Sequence, residues 1–323
     1  MTFNQNTQVF QGDGKCQLTV AICTYNRPCI LRGVLETLKD QEIDDNTTWE
    51  ILVIDNDPLL SAKPIFDSFS SVSHFIMRYI HEQKPGLSHA RNRAISESQG
   101  TIIAFLDDDV LLPRRWLLEM LCTFERTGAD CVGGRVLVKW EGSPEDVVKD
   151  CEKELVAYDK GECDILLAGR DVPIGANLAF KASVLHSQPQ FMADLGRMRT
   201  NLMGCEEIEL LLRLMKQERL IWYSAASVVM HRISGERLTS AYYKRREYWN
   251  GVCLAVVDKL QNGWLYCQLK AWVRLGQVLV TLLPLWLRSR AKCKNRARFL
   301  SGCHRRKYFG YWLGIMGFAR NPR

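Results

Sequence analysis

Lys259 to Arg323, at the end of a 323-residue sequence, contain no acidic residue and 14 Lys or Arg. The whole chain has 43 basic and 36 acidic side chains, so residues 1–258 keep 29 and 36 of them. The formal charge of +7 therefore divides into a body of −7 and a basic tail. Such a tail points to an anionic partner, a membrane surface or nucleic acid. Also missing are any C-x-x-C pair and any Cys/His cluster at zinc spacing, although there are 12 cysteines. Several of these (Cys23, Cys122, Cys131) lie in apolar segments, where a thiol acts as a small hydrophobe, and they suit the reduced thiols of a cytosolic protein. No apolar run reaches the roughly 20 residues of a spanning helix. The longest uncharged ones in the tail, Leu275 to Leu287 and Tyr308 to Ala319, have 13 and 12. Residues 1–17 lack the basic start and apolar stretch of a signal peptide, so secretion is not expected. There is no internal repeat. What is present, 47% hydrophobic and 24% charged residues, is ordinary for a globular chain.

The pattern along the chain alternates. Leu18 to Cys23 is a buried-strand run that ends in Thr24-Tyr25-Asn26-Arg27-Pro28 and leads into a helix with Leu31, Val34, Leu35 and Leu38 on one face. Trp49 to Ile54 is a second strand closing on Asp55-Asn56, and Phe75 to Ile80 a weaker third. Gly86 opens a loop into the helix carrying Ala90-Arg91-Asn92. Further strands are expected at Ala129 to Val138, Pro173 to Phe180, Ile221 to Tyr223 and Ala226 to Met230. Helices are expected at Trp116 to Phe124 and after Gly204-Cys205-Glu206-Glu207. Ser143 to Gly169, rich in charge, is expected to be a surface insertion or flap. This order predicts an α/β chain, a mostly parallel nucleotide-binding type of sheet flanked by helices.

Within it, Thr101 to Leu106 reads as a strand buried on both faces, followed at once by Asp107-Asp108-Asp109. A buried strand cannot keep three carboxylates inside, so they should emerge at its carboxyl end, where open α/β sheets bind ligands. Asp107 and Asp109 suit a hard divalent cation that shares its oxygens with phosphates. A solvated acidic turn would produce the same letters.

The set A-I-C-T-Y-N-R-P, V-I-D-N-D, G-L-S-H-A-R-N-R-A, F-L-D-D-D and G-C-E-E-I-E with the later His231, in that order, resembles the family-2 glycosyltransferases of GT-A fold. The resemblance spans about residues 18–235, leaving residues 1–17 as a polar tail and 236–323 as a basic helical region. Ser234 to Gly251 is similar to members that build bacterial, often cyanobacterial, surface polysaccharides.

The resemblance implies roles. Thr24, Tyr25 and Asn26 would hold the nucleotide, although Asn26 could merely cap a helix. Asp55 and Asn56 would face the base. Relatives often carry two acids there, and Asn56 both donates and accepts, which leaves UDP-, dTDP- and GDP-linked donors open. Arg91 and Asn92 would approach the nucleotide or its phosphates, for which the arginine fork is suited. Asp109, Asp107 and His231 would hold Mn²⁺ or Mg²⁺, with Asp107 and Asp108 also near the ribose; the imidazole favours Mn²⁺. Glu206 and Glu207 stand where relatives have Glu-Asp. Glu207 would be the general base of an inverting transfer, unless the acids only charge a helix start. Gly175 and Asn177 would line the acceptor sugar site.

The expected acceptor is a glycan or lipid-linked saccharide. The tail, with Trp264, Trp272, Trp286 and Trp312 among basic residues, suits peripheral contact with an anionic membrane at its cytoplasmic face; an ordinary subdomain with a solvated basic face fits the same pattern. Nucleic acid is not expected, because no recognised module accompanies the charge. Two other classes compete. A sugar-nucleotide nucleotidyltransferase needs a Gly-rich basic loop where this chain has T-Y-N-R-P. An inactive glycan- or nucleotide-binding scaffold has only the Glu207 departure in its favour.

Overall fold

Leu18, Val20 and Ile22 point to one side of the first strand and Ala21 to the other, and all four are fully buried. A strand with alternate residues buried on both sides must have helices over both faces. The structure, a computed structural model, describes residues 16–44, 46–71, 76–188, 190–197, 202–277 and 291–317. The elements run β1 (Leu18–Thr24), α1 (Pro28–Lys39), β2 (Trp49–Asp55), α2 (Lys63–Ser70), β3 (Ile76–His81), α3 (Leu87–Glu97), β4 (Ile102–Asp107) and β5 (Val110–Leu111). There follow α4 (Trp116–Thr127), β6 (Cys131–Trp140), α5 (Asp146–Lys149), α6 (Glu152–Leu155), β7 (Ile165–Leu166), β8 (Asn177–Lys181), α7 (Ala182–His186) and α8 (Glu206–Lys216). The last are β9 (Ile221–Ile233), α9 (Ser240–Gln277), broken at Gly263 where φ is 80°, and α10 (Ala291–Met316).

The sheet order is β3-β2-β1-β4-β8-β6-β9-β5, with β7 also on β9. Strands β3, β2, β1 and β4 are parallel. β8 runs antiparallel to β4 and β6, and β9 returns parallel to β6. The expected α/β sheet with a helical C-terminal region is therefore what forms. Register aligns the strand ends that carry the motifs: Thr24 lies beside Asp55, and Cys23 beside Asp107. One core packs α1, α2 and α4 against the sheet through Leu31, Leu35, Phe66, Trp116 and Met120. The other packs α3, α7 and α8 through Ala90, Ile95, Leu185, Leu210 and Leu214.

Two expectations need correction, and one lies partly outside the described residues. Ile221 to Tyr223 and Ala226 to Met230 are one strand, β9, whose pairing with β6 slips from Ser224 to Val228 across an irregularity. Phe75 lies outside the described residues, and its strand begins at Ile76. Ser143 to Gly169 is not a flap: Val148, Cys151, Leu155 and Val156 are buried against Tyr242, Tyr243, Phe299 and Cys303. Its few apolar residues recur at helical spacing, and the C-terminal helices cover them.

Those helices cross closely. A Cβ on Gly251 would stand 1.9 Å from the Lys307 carbonyl, and one on Gly310 2.0 Å from that of Tyr248. Most of the apolar run Leu275 to Leu287 lies past residue 277 and outside the described residues. Among the described residues no helix is long and apolar enough to cross a membrane, and the described cysteines are free thiols.

Candidate active site

The three aspartates leave β4 at its carboxyl end and turn at once into β5, which pairs antiparallel with β9 so that Val110 faces His231. The Arg232 amide donates to the Asp109 carbonyl at 2.8 Å, and this register brings the imidazole of His231 beside the Asp109 carboxylate. Asp107, Asp109 and His231 each present a ligand atom within 4.8 Å of the others. Arg237 Nη1 donates to Asp109 Oδ2 at 2.8 Å, and its Nη2 lies 2.8 Å from His231 Nε2. Arginine can only donate, so Nε2 of His231 is the acceptor of that contact. The same Nε2 is 3.2 Å from Asp109 Oδ1, an enclosed oxygen that receives no hydrogen bond. Two lone-pair atoms facing each other, with a further carboxylate in reach, are a donor set that fits a divalent cation.

Asp108 points away from that gap. It accepts from Thr24 Oγ1 at 2.7 Å and forms an ion pair with Arg27 at 3.0 Å, and so ties the ends of β1 and β4 together. Burial holds its carboxyl above the usual range, with Arg27 opposing. Arg27 also reaches Asp109 Oδ2 at 3.1 Å.

A second carboxylate group faces the first. Glu206 and Glu207 open α8, in a first turn that also holds Glu209. This placement suits acids beside unpaired helix amides. Arg91, almost wholly buried, donates from Nη1 to Glu206 Oε1 at 2.7 Å and from Nη2 to Asp107 at 3.4 Å and to the Gly175 carbonyl at 3.4 Å. Glu207 lies 3.9 Å from the same guanidinium. A Cβ on Gly175 would stand 2.5 Å from Arg91 Nη2, so glycine is what lets this arginine in. Burial, and next the charge of Glu207, push the Glu206 carboxyl up to about 8 against the pull of Arg91. Glu207 is the more open of the pair, at 13% side-chain exposure against 1%.

These groups line one cavity of about 540 Å³, shared with Thr24, Tyr25, Asn56 and Gly175 and closed by residues of α9 and α10. The expected residues do not all meet there. Asn92 exchanges two hydrogen bonds with the Phe191 backbone, at 2.8 and 2.9 Å, and fastens a loop away from the cavity. Asn177 is fully buried: it accepts from Trp116 Nε1 at 2.9 Å and donates to the carbonyls of Arg135 and Ser227 at 3.2 and 2.8 Å. It ties sheet to helix and is not among the residues that line the cavity. Asp55 is fully buried and accepts from the amides of Asp57 and Ala62 and from Tyr79 Oη. Asn56 does face the cavity. Its amide, however, donates to the carbonyls of Glu82 and Lys84 and accepts from Gly86 N, which leaves one oxygen lone pair for a base. Asn26 is exposed, in the left-handed region at φ 50°, outside the cavity lining. Arg91, expected on phosphate, is committed to carboxylates. The guanidiniums nearest the cation site are Arg27 and Arg237, which the sequence reading passed over. Arg27 sits inside the quoted T-Y-N-R-P, and Arg237 follows His231 by six residues, so adjacency to the motifs was the available signal.

The model of the family described as "Glycosyl transferase family 2" matches residues 19–186, just over half of the chain. The chain belongs to glycosyl transferase family 2. The match covers β1 to α7 and so includes the three aspartates. Among curated relatives, the succinoglycan biosynthesis protein ExoM of Rhizobium meliloti is 30% identical over 52% of this chain, and the match spans 56% of that relative's length. The glucosyl-dolichyl phosphate glucuronosyltransferase of Haloferax volcanii is 22% identical over 76% of this chain and 78% of its own. Among solved structures, a mannosyltransferase from Pyrobaculum calidifontis in complex with GDP-Man and Mn²⁺ superposes with a TM-score of 0.61 at 14% identity, covering 93% of this chain and 87% of that one. The fold of this family 2 member is GT-A.

Proposed function

We propose that this chain transfers a sugar from a nucleotide-sugar donor to a hydroxyl of a glycan or lipid-linked acceptor, with inversion, in the synthesis of a surface polysaccharide. The observation that carries the reading is the convergence of two carboxylate groups in one cavity: Asp107 and Asp109 with His231, and Glu207 with Glu206 on Arg91. The name of the Rhizobium relative supports the polysaccharide setting, and the Pyrobaculum complex, solved with GDP-Man and Mn²⁺, supports the donor class and the choice of cation.

Asp107, Asp109 and His231 would hold Mn²⁺ or Mg²⁺, which when bound offsets the charge gathering on the departing diphosphate. Arg27 and Arg237, already on Asp109, stand ready to add to that positive field. Glu207 takes the proton of the acceptor hydroxyl while that oxygen forms its bond to the anomeric carbon. The bond from that carbon to the nucleotide breaks in the same step and its electron pair leaves with the diphosphate, so one displacement inverts the centre. Arg91 fixes Glu206, and Glu206 packs beside Glu207, which holds the base in place. The basic C-terminal helices, with Trp264 and Trp272 more than half exposed, suit contact with anionic lipid at the cytoplasmic face of the plasma membrane.

The test is Glu207→Gln. Turnover should fall by about 10²–10⁴-fold, while Mn²⁺-dependent nucleotide binding, measured by calorimetry, stays at the wild-type level. Near-normal turnover at saturating donor and acceptor would remove Glu207 from the reaction.

A further inference from the structure

We propose that Asn177, Ser224 and Ser227 pin a three-residue bulge in β9 and thereby turn His231 towards Asp109. They are positioning residues of the cation site, an assignment that rests on the transfer reading above.

Alternate residues of a regular strand face opposite sides of the sheet. At the start of β9, Ile221, Tyr223 and Ala225 pack in the core that holds α8, and Trp222 lies on the α4 side. Past the slip the order is reversed, and Val229 is the residue buried on the α4 side. The cause is the pairing with β6, where Gly134 stands beside Ser224 and Arg135 beside Val228. Ala225, Ala226 and Ser227 therefore have no partner on β6, and an odd number of extra residues exchanges the two faces. His231, two residues past Val229, shares its face. If β9 ran on unbroken from Ile221, His231 would share the face of Tyr223 and turn away from Asp109.

A bulge inside a sheet leaves backbone groups without ladder partners, and in the interior each of them is costly. Here side chains supply the partners. Asn177 Nδ2 donates to the carbonyls of Ser227 and Arg135, at 2.8 and 3.2 Å, and so spans the slip. Trp116 Nε1, which can only donate, holds Asn177 Oδ1 at 2.9 Å and fixes which end of the amide faces the bulge. The Ser227 amide donates to Ser224 Oγ at 3.3 Å, and the two hydroxyl oxygens are 3.1 Å apart. Thr123 Oγ1, on α4, lies 2.9 Å from Ser224 Oγ. Gly134 makes room for this arrangement: a Cβ there would stand 2.0 Å from Asn177 Nδ2 and 2.2 Å from the Ser227 carbonyl. Asn177, Ser224 and Ser227 are fully buried, and none of them lines the cavity. Their bonds hold the bulge, and the bulge holds His231 Nε2 3.2 Å from Asp109 Oδ1.

The experiment titrates the full chain with Mn²⁺, alone and with UDP, dTDP or GDP present, and reads bound metal by electron paramagnetic resonance. Wild-type protein is compared with Ser224→Ala, Asn177→Leu and Gly134→Ala, and with Leu185→Ala as a control. Leu185 is fully buried on α7, so its truncation lowers stability and leaves the bulge intact. Each bulge variant should bind Mn²⁺ about 10–100-fold more weakly than wild-type protein. The control should bind it as wild-type protein does, even where its Tm falls as far. A metal-free crystal structure of Ser224→Ala should show His231 moved off Asp109. Ser224→Ala removes one hydroxyl only, which keeps the test open if the other two variants do not fold. Unchanged Mn²⁺ affinity in the folded bulge variants, or an equal loss in the control, overturns the assignment. So does a Ser224→Ala structure with His231 in its wild-type place. Failure of wild-type protein to bind Mn²⁺ under any of these conditions contradicts the transfer reading's cation, whereas a displaced His231 in Ser224→Ala still supports the pin.

Discussion

Arg91 keeps three carboxylates within reach of one guanidinium: Glu206 at 2.7 Å, Asp107 at 3.4 Å and Glu207 at 3.9 Å. One positive charge does not neutralise three negative ones in a dry site, and the imbalance appears as a proton on Glu206, whose carboxyl is raised to about 8. The unfolded chain releases that proton near pH 4.3. Between about pH 4.3 and 8 the folded state therefore holds a proton that the unfolded state has lost, and stability from this group declines as pH rises through that window. At its steepest the decline is about 1.4 kcal/mol per pH unit. Glu206→Gln should flatten the fall of Tm between pH 5 and 8, as read by thermal denaturation at several pH values. An unchanged slope would place the proton elsewhere. At this scale the sequence was a partial guide. The acids Asp107, Asp109, Glu206 and Glu207 were legible because they stand at strand and helix ends in the order of the family's motifs. Asn92 and Asn177 looked the same as ligands in one dimension, yet their amides satisfy backbone groups that only the folded chain brings near.

The two-residue strand β5 decides where His231 goes. Its pairing with β9 sets Val110 against His231, and a shift of one residue would turn the imbidazole's side of β9 to the opposite face. The sequence showed the acids and the histidine but not this register, because the pairing joins segments over a hundred residues apart. Asn177 acts at the same level, joining β8 to the carbonyls of β6 and β9 and to Trp116 on α4. Asn177→Leu should strand one indole N–H and two carbonyls in the interior and cost about 3 kcal/mol or more. Denaturant unfolding should show that loss, with acceptor KM unchanged in the folded fraction. A raised acceptor KM with full stability would instead make Asn177 a substrate contact. The segment 143–169 was misjudged for a related reason: Val148, Cys151 and Leu155 are too few to read as core until α9 and α10 cover them.

Over the whole molecule, the parallel strands bring their carboxyl ends to one edge, and α9 and α10 close the cavity from the other side. The alternation of strands and helices was legible, since it is written in apolar periodicity. That Tyr242 to Leu254 of α9, with Lys307 of the basic tail, wall the cavity was not, because charge composition says nothing about docking. The central claim is that Asp107, Asp109 and His231 join a nucleotide sugar to the chain through a divalent cation. Its most direct test is calorimetric titration of wild-type protein and Asp109→Asn with a panel of UDP-, dTDP- and GDP-sugars, with Mn²⁺ and with chelator. The account predicts that at least one donor binds wild-type protein with Mn²⁺, that chelator abolishes the binding, and that Asp109→Asn weakens it by about 2 kcal/mol or more. Binding of equal strength with chelator, or no binding of any donor, would contradict it.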